Sequence, residues 1–181
     1  MLTIYFEPHA LSLDNEAGIA SGHNDVELSE SGRRMAAEIK APRVAGLGID
    51  AVYTSDLKRA YDTAAIIFAG TNVPINKDWR LRECDYGEMT RNPRTKVFAM
   101  REDFISNPFP GGESYVHVLA RMKKFLEHLK EEHEGETIFV IGHSATYISL
   151  EHLINGVPIQ DSIRSSYDTI QFPVRYVLDD E

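Results

Sequence analysis

The sequence predicts an α/β fold: a three-layer α/β/α sandwich around a mostly parallel sheet. Three observations predict it. Short strand-like segments alternate with helix-like ones along the 181 residues, the pattern of parallel strands joined by crossover helices. The run "TIFVIGH" (137–143) is apolar nearly throughout, as a strand covered on both faces must be. Two histidines, His9 and His143, follow strand-like segments directly, and ligands in such sheets bind beyond the carboxyl ends of the strands.

Each element has its own reason. "TIYF" alternates as a strand, and His9 follows it behind Pro8. Residues 12–29 are rich in Gly, Asn, Asp and Ser, too long and polar for a simple turn, which marks a functional loop. "SESGRRMAAEIKAPRVAGLG" reads as a helix with Ser29 or Ser31 as its cap, and Pro42 must kink or divide it. "IDAVYT" is a second strand, "SDLKRAYDTAAIIFAG" a second helix capped by Ser55 and stopped at Gly70, and "VPIN" a third strand. Across 85–112 the apolar period disappears and Pro93, Pro108 and Pro110 interrupt the chain. That segment reads as an irregular insertion with a short helix near 96–104. Val116, Leu119, Met122, Phe125 or Leu126, and Leu129 then recur at helical spacing, with Lys123, Lys124, Glu127, Lys130 and Glu131 facing water. "SATYISLEHLING" continues as a helix ending at Gly156, and "TIQF" with "RYVL" forms either a closing hairpin or one edge strand interrupted at Pro173.

Composition narrows the function. The chain fits one domain over residues 1–181, with 43% hydrophobic and 26% charged residues. No apolar run approaches the roughly 20 residues that span a bilayer, and Met1 leads into a strand pattern rather than a signal peptide. A cytoplasmic location and no membrane partner are expected. Cys84 is the single cysteine, which excludes an internal disulfide and a cysteine cage for zinc. A net charge of -9, from 28 acidic and 19 basic residues, argues against nucleic acid as a partner. An anionic substrate must then be held by local positive charge.

Four stretches deliver such groups to one sheet edge: His9, the segment from Ser55 to Arg59, Glu83 and His143. This set suits phosphoryl transfer through histidine. A neutral imidazole attacks phosphorus and splits one hydrolysis into two easier displacements. A guanidinium matches the phosphoryl oxygens with a planar fork, a second imidazolium balances charge on the equatorial oxygens, and a carboxylic acid protonates the leaving alkoxide. This chemistry requires no metal and no cofactor, and the sequence shows no metal motif. The competing pattern is "IGHSAT", which imitates the nucleophile elbow of α/β hydrolases. Thr146 stands where its second glycine belongs, and the only later histidine, His152, lies in the same helix as Ser144.

"YTSDLKRAYDTA", "LRECDYGEM", "PGGESYVHVLARM", "VIGHSA" and the "PHALSLDN" opening together resemble the histidine phosphatase superfamily, also called the phosphoglycerate mutase-like family, over nearly the whole chain. The resemblance implies a phosphomonoester hydrolase acting on a small phosphorylated substrate through a phosphohistidine. In this role set His9 is the nucleophile, Glu83 the general acid, and His143 the second catalytic histidine. Asn15, Arg59, Ser12 and Ser144 bind phosphate, Ser144 through the backbone at the helix start. Two alternatives within the family are a catalytically weak member that binds phosphate or protein, and a phosphoglycerate mutase-type transferase. A homodimer is compatible with either. The chain departs from the family pattern at Pro8, where an arginine is usual, and at Ala10 and Leu11, which replace Gly and Glu. Arg82 and Arg164 are the expected substitutes for the missing arginine.

Overall fold

The computed structural model describes residues 1–165 and 167–179. Five strands form one sheet in the order β3-β2-β4-β1-β5. They are β1 (Leu2–Pro8), β2 (Ala51–Thr54), β3 (Ile75–Lys77), β4 (Thr137–Gly142) and β5 (Val174–Leu178). β1, β2, β3 and β4 pair in parallel, and β5 closes the β1 edge in the antiparallel sense. The expected mostly parallel α/β sheet is therefore present. "RYVL" supplies the edge strand alone, while "TIQF" lies in a short 3-10 turn over Tyr167–Thr169 and the bend after it.

The sheet is buried on both faces because its central strands are apolar on both sides. Ile4, Phe6, Ile138 and Val140 face one core, and Val52, Phe139 and Ile141 face the other. The first core packs under α6 (Tyr115–Glu132) and α7 (Ser144–Leu153). Ala36, Val44, Ala60, Ala64 and Ile67 complete the second. After the single turn α1 (Leu13–Glu16), they come from the helical run α2 (Glu30–Met35) through α3 (Ala41–Val44) and from α4 (Lys58–Ile67). These are the three layers expected.

Local chemistry sets the helix boundaries. Ser29, not Ser31, caps α2 by accepting the Gly32 N–H at 3.0 Å. Pro42 cannot donate to the preceding turn, and the helix meets it with a π-helical turn over Ala36–Lys40 instead of a break. Ser114 caps α6 by accepting the His117 N–H at 3.2 Å. The buried stripe of α6 is Tyr115, Val118, Met122, Phe125, Leu126 and Leu129, whereas Val116 is 47% exposed. The expected inward face therefore holds at Met122, Phe125, Leu126 and Leu129, with Leu119 half-buried, and differs only in the first turn, where Tyr115 is buried in place of Val116. The C-terminal helix ends at Leu153 rather than Gly156, and a further helix, α8 (Ile159–Arg164), follows it.

Residues 85–112 leave the sheet as an excursion carrying α5 (Arg94–Ala99) and a 3-10 turn over Arg101–Phe104. Its neck is closed by backbone bonds from Glu113 to Asp85 and from Glu88 to Pro110, both 2.9 Å. A Cβ on Gly112 would stand 2.3 Å from the Asp85 carbonyl oxygen, so only glycine lets the two backbones approach this closely. Among the described residues no helix is long and apolar enough to cross a membrane.

Candidate active site

The register of β1 on β4 builds the site. Pro8 pairs with Gly142, so the next residues, His9 and His143, leave the sheet side by side, and the His9 N–H donates to the Gly142 carbonyl at 3.0 Å. Their ring centroids lie 5.0 Å apart. β2 adds the third neighbour: Thr54 pairs with Ile141, which carries Ser55 next to His143. The Ser55 hydroxyl meets His143 Nε2 at 2.6 Å. Ser55 was expected to cap α4. That helix instead begins at Lys58 behind Leu57, because the Ser55 side chain is committed across the sheet.

Both imidazoles are held neutral, so the second one is not the charge-balancing imidazolium that the sequence suggests. His9 is lowered to about 3, first by burial and then by the positive charge of Arg59. His143 is driven well below its ordinary value by burial, Arg59 and His9. His9 Nδ1 lies 2.7 Å from the Ala10 carbonyl oxygen, an acceptor that requires the proton on Nδ1 and leaves the Nε2 lone pair open. At His143 the Nδ1 atom is buried and has no hydrogen-bond partner among the described residues.

Arg59, 1% exposed, enters from the first turn of α4. Its Nη1 donates to the Asn24 carbonyl at 2.9 Å and its Nη2 to the Gly22 carbonyl at 2.8 Å. Gly22 takes a left-handed φ of 50°, which turns its carbonyl toward the guanidinium at no Cβ cost. Asn15 Oδ1 accepts from the N–H and hydroxyl of Ser12, both at 3.0 Å. The Asn15 amide NH₂ is thereby left as a donor. Glu83 receives three backbone N–H bonds: Oε1 from Cys84 at 2.8 Å and Ala145 at 3.1 Å, and Oε2 from Ser144 at 3.2 Å. The α7 amides, expected to serve phosphate, are thus engaged by Glu83. The Glu83 carbonyl is itself fixed by His23 Nε2 at 2.8 Å and Arg121 Nη2 at 3.0 Å.

His9, Asn15, Arg59 and Glu83 line one small cleft, walled further by Ile19, Gly22, Tyr86, Arg94 and Phe98. Ser12 is buried behind it and acts on Asn15. Ser144 opens onto a neighbouring cavity of about 420 Å³, with its hydroxyl accepting from Arg101 at 3.1 Å. Arg94 and Phe98 belong to both spaces. The two expected substitutes for the arginine absent at position 8 are already paired: Arg82 grips Asp56 through two bonds at 2.7 and 2.6 Å, and Arg164 grips Glu102 at 2.9 and 2.6 Å. Beneath Pro8, Lys40 Nζ donates to the Pro8 carbonyl at 3.1 Å and to buried Glu7 at 2.6 Å. Neither Glu7 nor Lys40 was marked in the sequence, and a buried charge on a strand gives no local signal. Among the described residues no three His, Cys, Asp or Glu side chains gather to hold a metal ion.

Two neutral histidines, a buried arginine and a carboxylate at the carboxyl edge of a parallel sheet define a class of α/β protein equipped to handle phosphoryl groups. The chain belongs to the histidine phosphatase superfamily, branch 1, whose family model matches residues 4–172. It is 31% identical over 167 residues to phosphoserine phosphatase 1 of Hydrogenobacter thermophilus, covering 88% of this chain and 79% of that one. Over 125 residues it is 34% identical to the 2,3-bisphosphoglycerate-dependent phosphoglycerate mutase of Streptococcus sanguinis, covering 67% of this chain and 50% of the mutase. Its fold is similar, with a TM-score of 0.77 and 26% identity, to a mycobacterial glucosyl-3-phosphoglycerate phosphatase solved with VO3, over 90% of this chain and 85% of that one.

Proposed function

We propose that the protein is a phosphomonoester hydrolase working through a phosphohistidine on His9, without a metal ion. The observation that carries this reading is the His9 hydrogen bond to the Ala10 carbonyl, which leaves an unprotonated Nε2 in a cleft shared with Arg59, Asn15 and Glu83. In the first step the Nε2 lone pair attacks phosphorus. The N–P bond forms as the ester P–O bond breaks, and Glu83 gives its proton to the departing alkoxide. In the second step a water attacks phosphorus and Glu83 takes its proton. The N–P bond breaks, and phosphate leaves.

Arg59 and the Asn15 amide hold the equatorial oxygens. His143 joins them through Nδ1: when Nε2 accepts a hydrogen bond from the Ser55 hydroxyl, the ring's own hydrogen sits on Nδ1 as a donor. The part of the substrate beyond the ester oxygen enters the adjoining cavity beside Phe98, Tyr147 and Tyr167. Hydrolysis is favoured over mutase-type transfer because the insertion offers acidic Glu102 and Asp103 among its basic residues, a poor setting for a bisphosphate.

The test is a rapid base quench of protein incubated with ³²P-labelled phosphomonoester. Label that is stable in base, labile in acid, and absent from His9→Ala is the expected result. Label retained by His9→Ala sinks the assignment.

A further inference from the structure

The cleft around His9 is short of positive charge for the group it is proposed to hold. A phosphoryl group arrives close to doubly negative, and its charge must be met by fixed donors in a site that excludes water. His9 and His143 are neutral. Glu83 brings an acidic group, and Lys40, the nearest buried ammonium, is engaged by Glu7 and the Pro8 carbonyl outside the cleft. Arg59 is the one buried cation in the lining, and two of its N–H donors are turned to the Asn24 and Gly22 carbonyls.

One other cation lines this cleft, and that is Arg94. It differs from the remaining arginines near the site. Arg82 and Arg164 are held bidentate by Asp56 and Glu102, and Arg101 donates to Ser144 and to the Ile163 carbonyl. The Arg94 guanidinium has no ion pair and no hydrogen bond among the described residues; its recorded contact is the Phe98 ring, 5.9 Å away. Its backbone, by contrast, is fixed. The Arg94 N–H donates to Gly18 at 2.8 Å, Arg91 N–H to Ala20 at 2.8 Å, and Ala20 N–H to Asn92 at 3.0 Å. These bonds fasten residues 91–94 to the loop that supplies Ile19 and Ala20 to the cleft wall. Arg91 takes a left-handed φ of 67° as the chain turns toward that wall.

We infer that Arg94, delivered from the insertion, is the second phosphoryl-binding arginine of this protein and does from across the cleft what no side chain at Pro8 provides. A free guanidinium on an anchored backbone presents two parallel N–H donors to phosphoryl oxygens, in the lining it shares with Arg59 and beside the larger cavity. The inference rests on the phosphatase reading and deepens it, giving one of the insertion's basic residues, among Arg91, Arg94, Lys96 and Arg101, a specific role.

The experiment measures kcat/KM on p-nitrophenyl phosphate and on phosphoserine, together with the inhibition constant of inorganic phosphate, for the wild type, Arg94→Met, Lys96→Met and Arg94→Met/Pro8→Arg. Lys96 stands on the same helix and controls for general loss of positive charge. Expected is a fall of about 10²-fold on both substrates for Arg94→Met, weaker inhibition by phosphate, a near-normal Lys96→Met, and recovery of tenfold or more when Pro8→Arg is added. A loss confined to phosphoserine with phosphate inhibition unchanged would assign Arg94 to the leaving group and overturn the inference. Unchanged kinetics in Arg94→Met would overturn it as well. Failure of the underlying reading looks different: wild-type protein then forms no acid-labile phosphoryl-enzyme. Inorganic phosphate binding by calorimetry still decides for or against Arg94 in that case.

Discussion

Replacing Ser55 with alanine removes the only hydrogen-bond partner that the His143 ring has among the described residues. The Ser55 hydroxyl stands 2.6 Å from Nε2, Nδ1 is already unpartnered, and both residues are at most 1% exposed. The variant therefore buries an unsatisfied imidazole nitrogen. Such a group costs about 1–3 kcal/mol, and in a chain of 181 residues a loss of about 2 kcal/mol lowers Tm by roughly 4–8 °C. The catalytic effect is separable from this. Without the serine hydrogen bond to Nε2, the tautomer that puts a donor on Nδ1 is no longer selected, and the ring is free to turn. Misplacement of this kind costs roughly 10- to 10²-fold in rate. Tm by calorimetry and kcat/KM on p-nitrophenyl phosphate should be read for Ser55→Ala and Ser55→Thr together. Threonine restores the hydroxyl, so activity should return even where its extra methyl keeps Tm low. If Ser55→Ala loses stability while kcat/KM stays within twofold of wild type, the reasoning about His143 is refuted.

Two further outcomes follow from the site. Glu83→Gln should slow alkyl phosphates by roughly 10² or more while p-nitrophenyl phosphate, whose leaving group needs little protonation, changes far less; equal slowing of both removes Glu83 from the acid's role. The buried neutral histidines also set a pH dependence of stability. His9 is depressed from 6.5 to about 3 and His143 is lowered in the same direction, so between those limits the unfolded chain binds protons that the folded chain refuses. Their contribution is complete above pH 6.5 and is lost as pH falls toward 3. Urea midpoints at pH 7.5, 6.0 and 5.0 should fall more steeply for wild type than for His9→Asn, and parallel curves would contradict this.

The strand-end histidines were legible because they depend on two local facts: each strand-like run is bounded sharply, and parallel pairing puts successive carboxyl ends on one edge. The register of Pro8 on Gly142 makes neighbours of residues 134 positions apart in a chain whose local pattern shows each alone. What the sequence concealed lies at longer range. Ser55 sits where a cap belongs by local spacing, and only folding reveals its partner 88 residues away. Arg82 and Arg164 looked free because Asp56 and Glu102 are distant in sequence. α8 is six residues long, too short for helical periodicity to register. In the first turn of α6 Tyr115 is buried in place of Val116, because the tyrosine ring packs into the core there, while Met122, Phe125, Leu126 and Leu129 follow the apolar spacing.

The closed neck of the 85–112 excursion separates two kinds of change. Asp85, Glu113 and Arg121 join its two ends through the Glu113 carboxylate, at 3.0 Å from the Asp85 N–H and 3.0 Å from the Arg121 guanidinium, and that knot is what steadies Glu83 through Arg121. The segment between Gly87 and Gly112, α5 and the 3-10 turn included, borders the larger cavity, and only Arg94 and Phe98 of it also line the cleft around His9. Changes there at positions other than Arg94 and Phe98 should alter the fit of the leaving group while the phosphoryl-handling half stays as it is. The molecule is in this sense a fixed tool with an exchangeable handle, and a chimera cut at Gly87 and Gly112 that keeps Arg94 should trade one leaving-group preference for another.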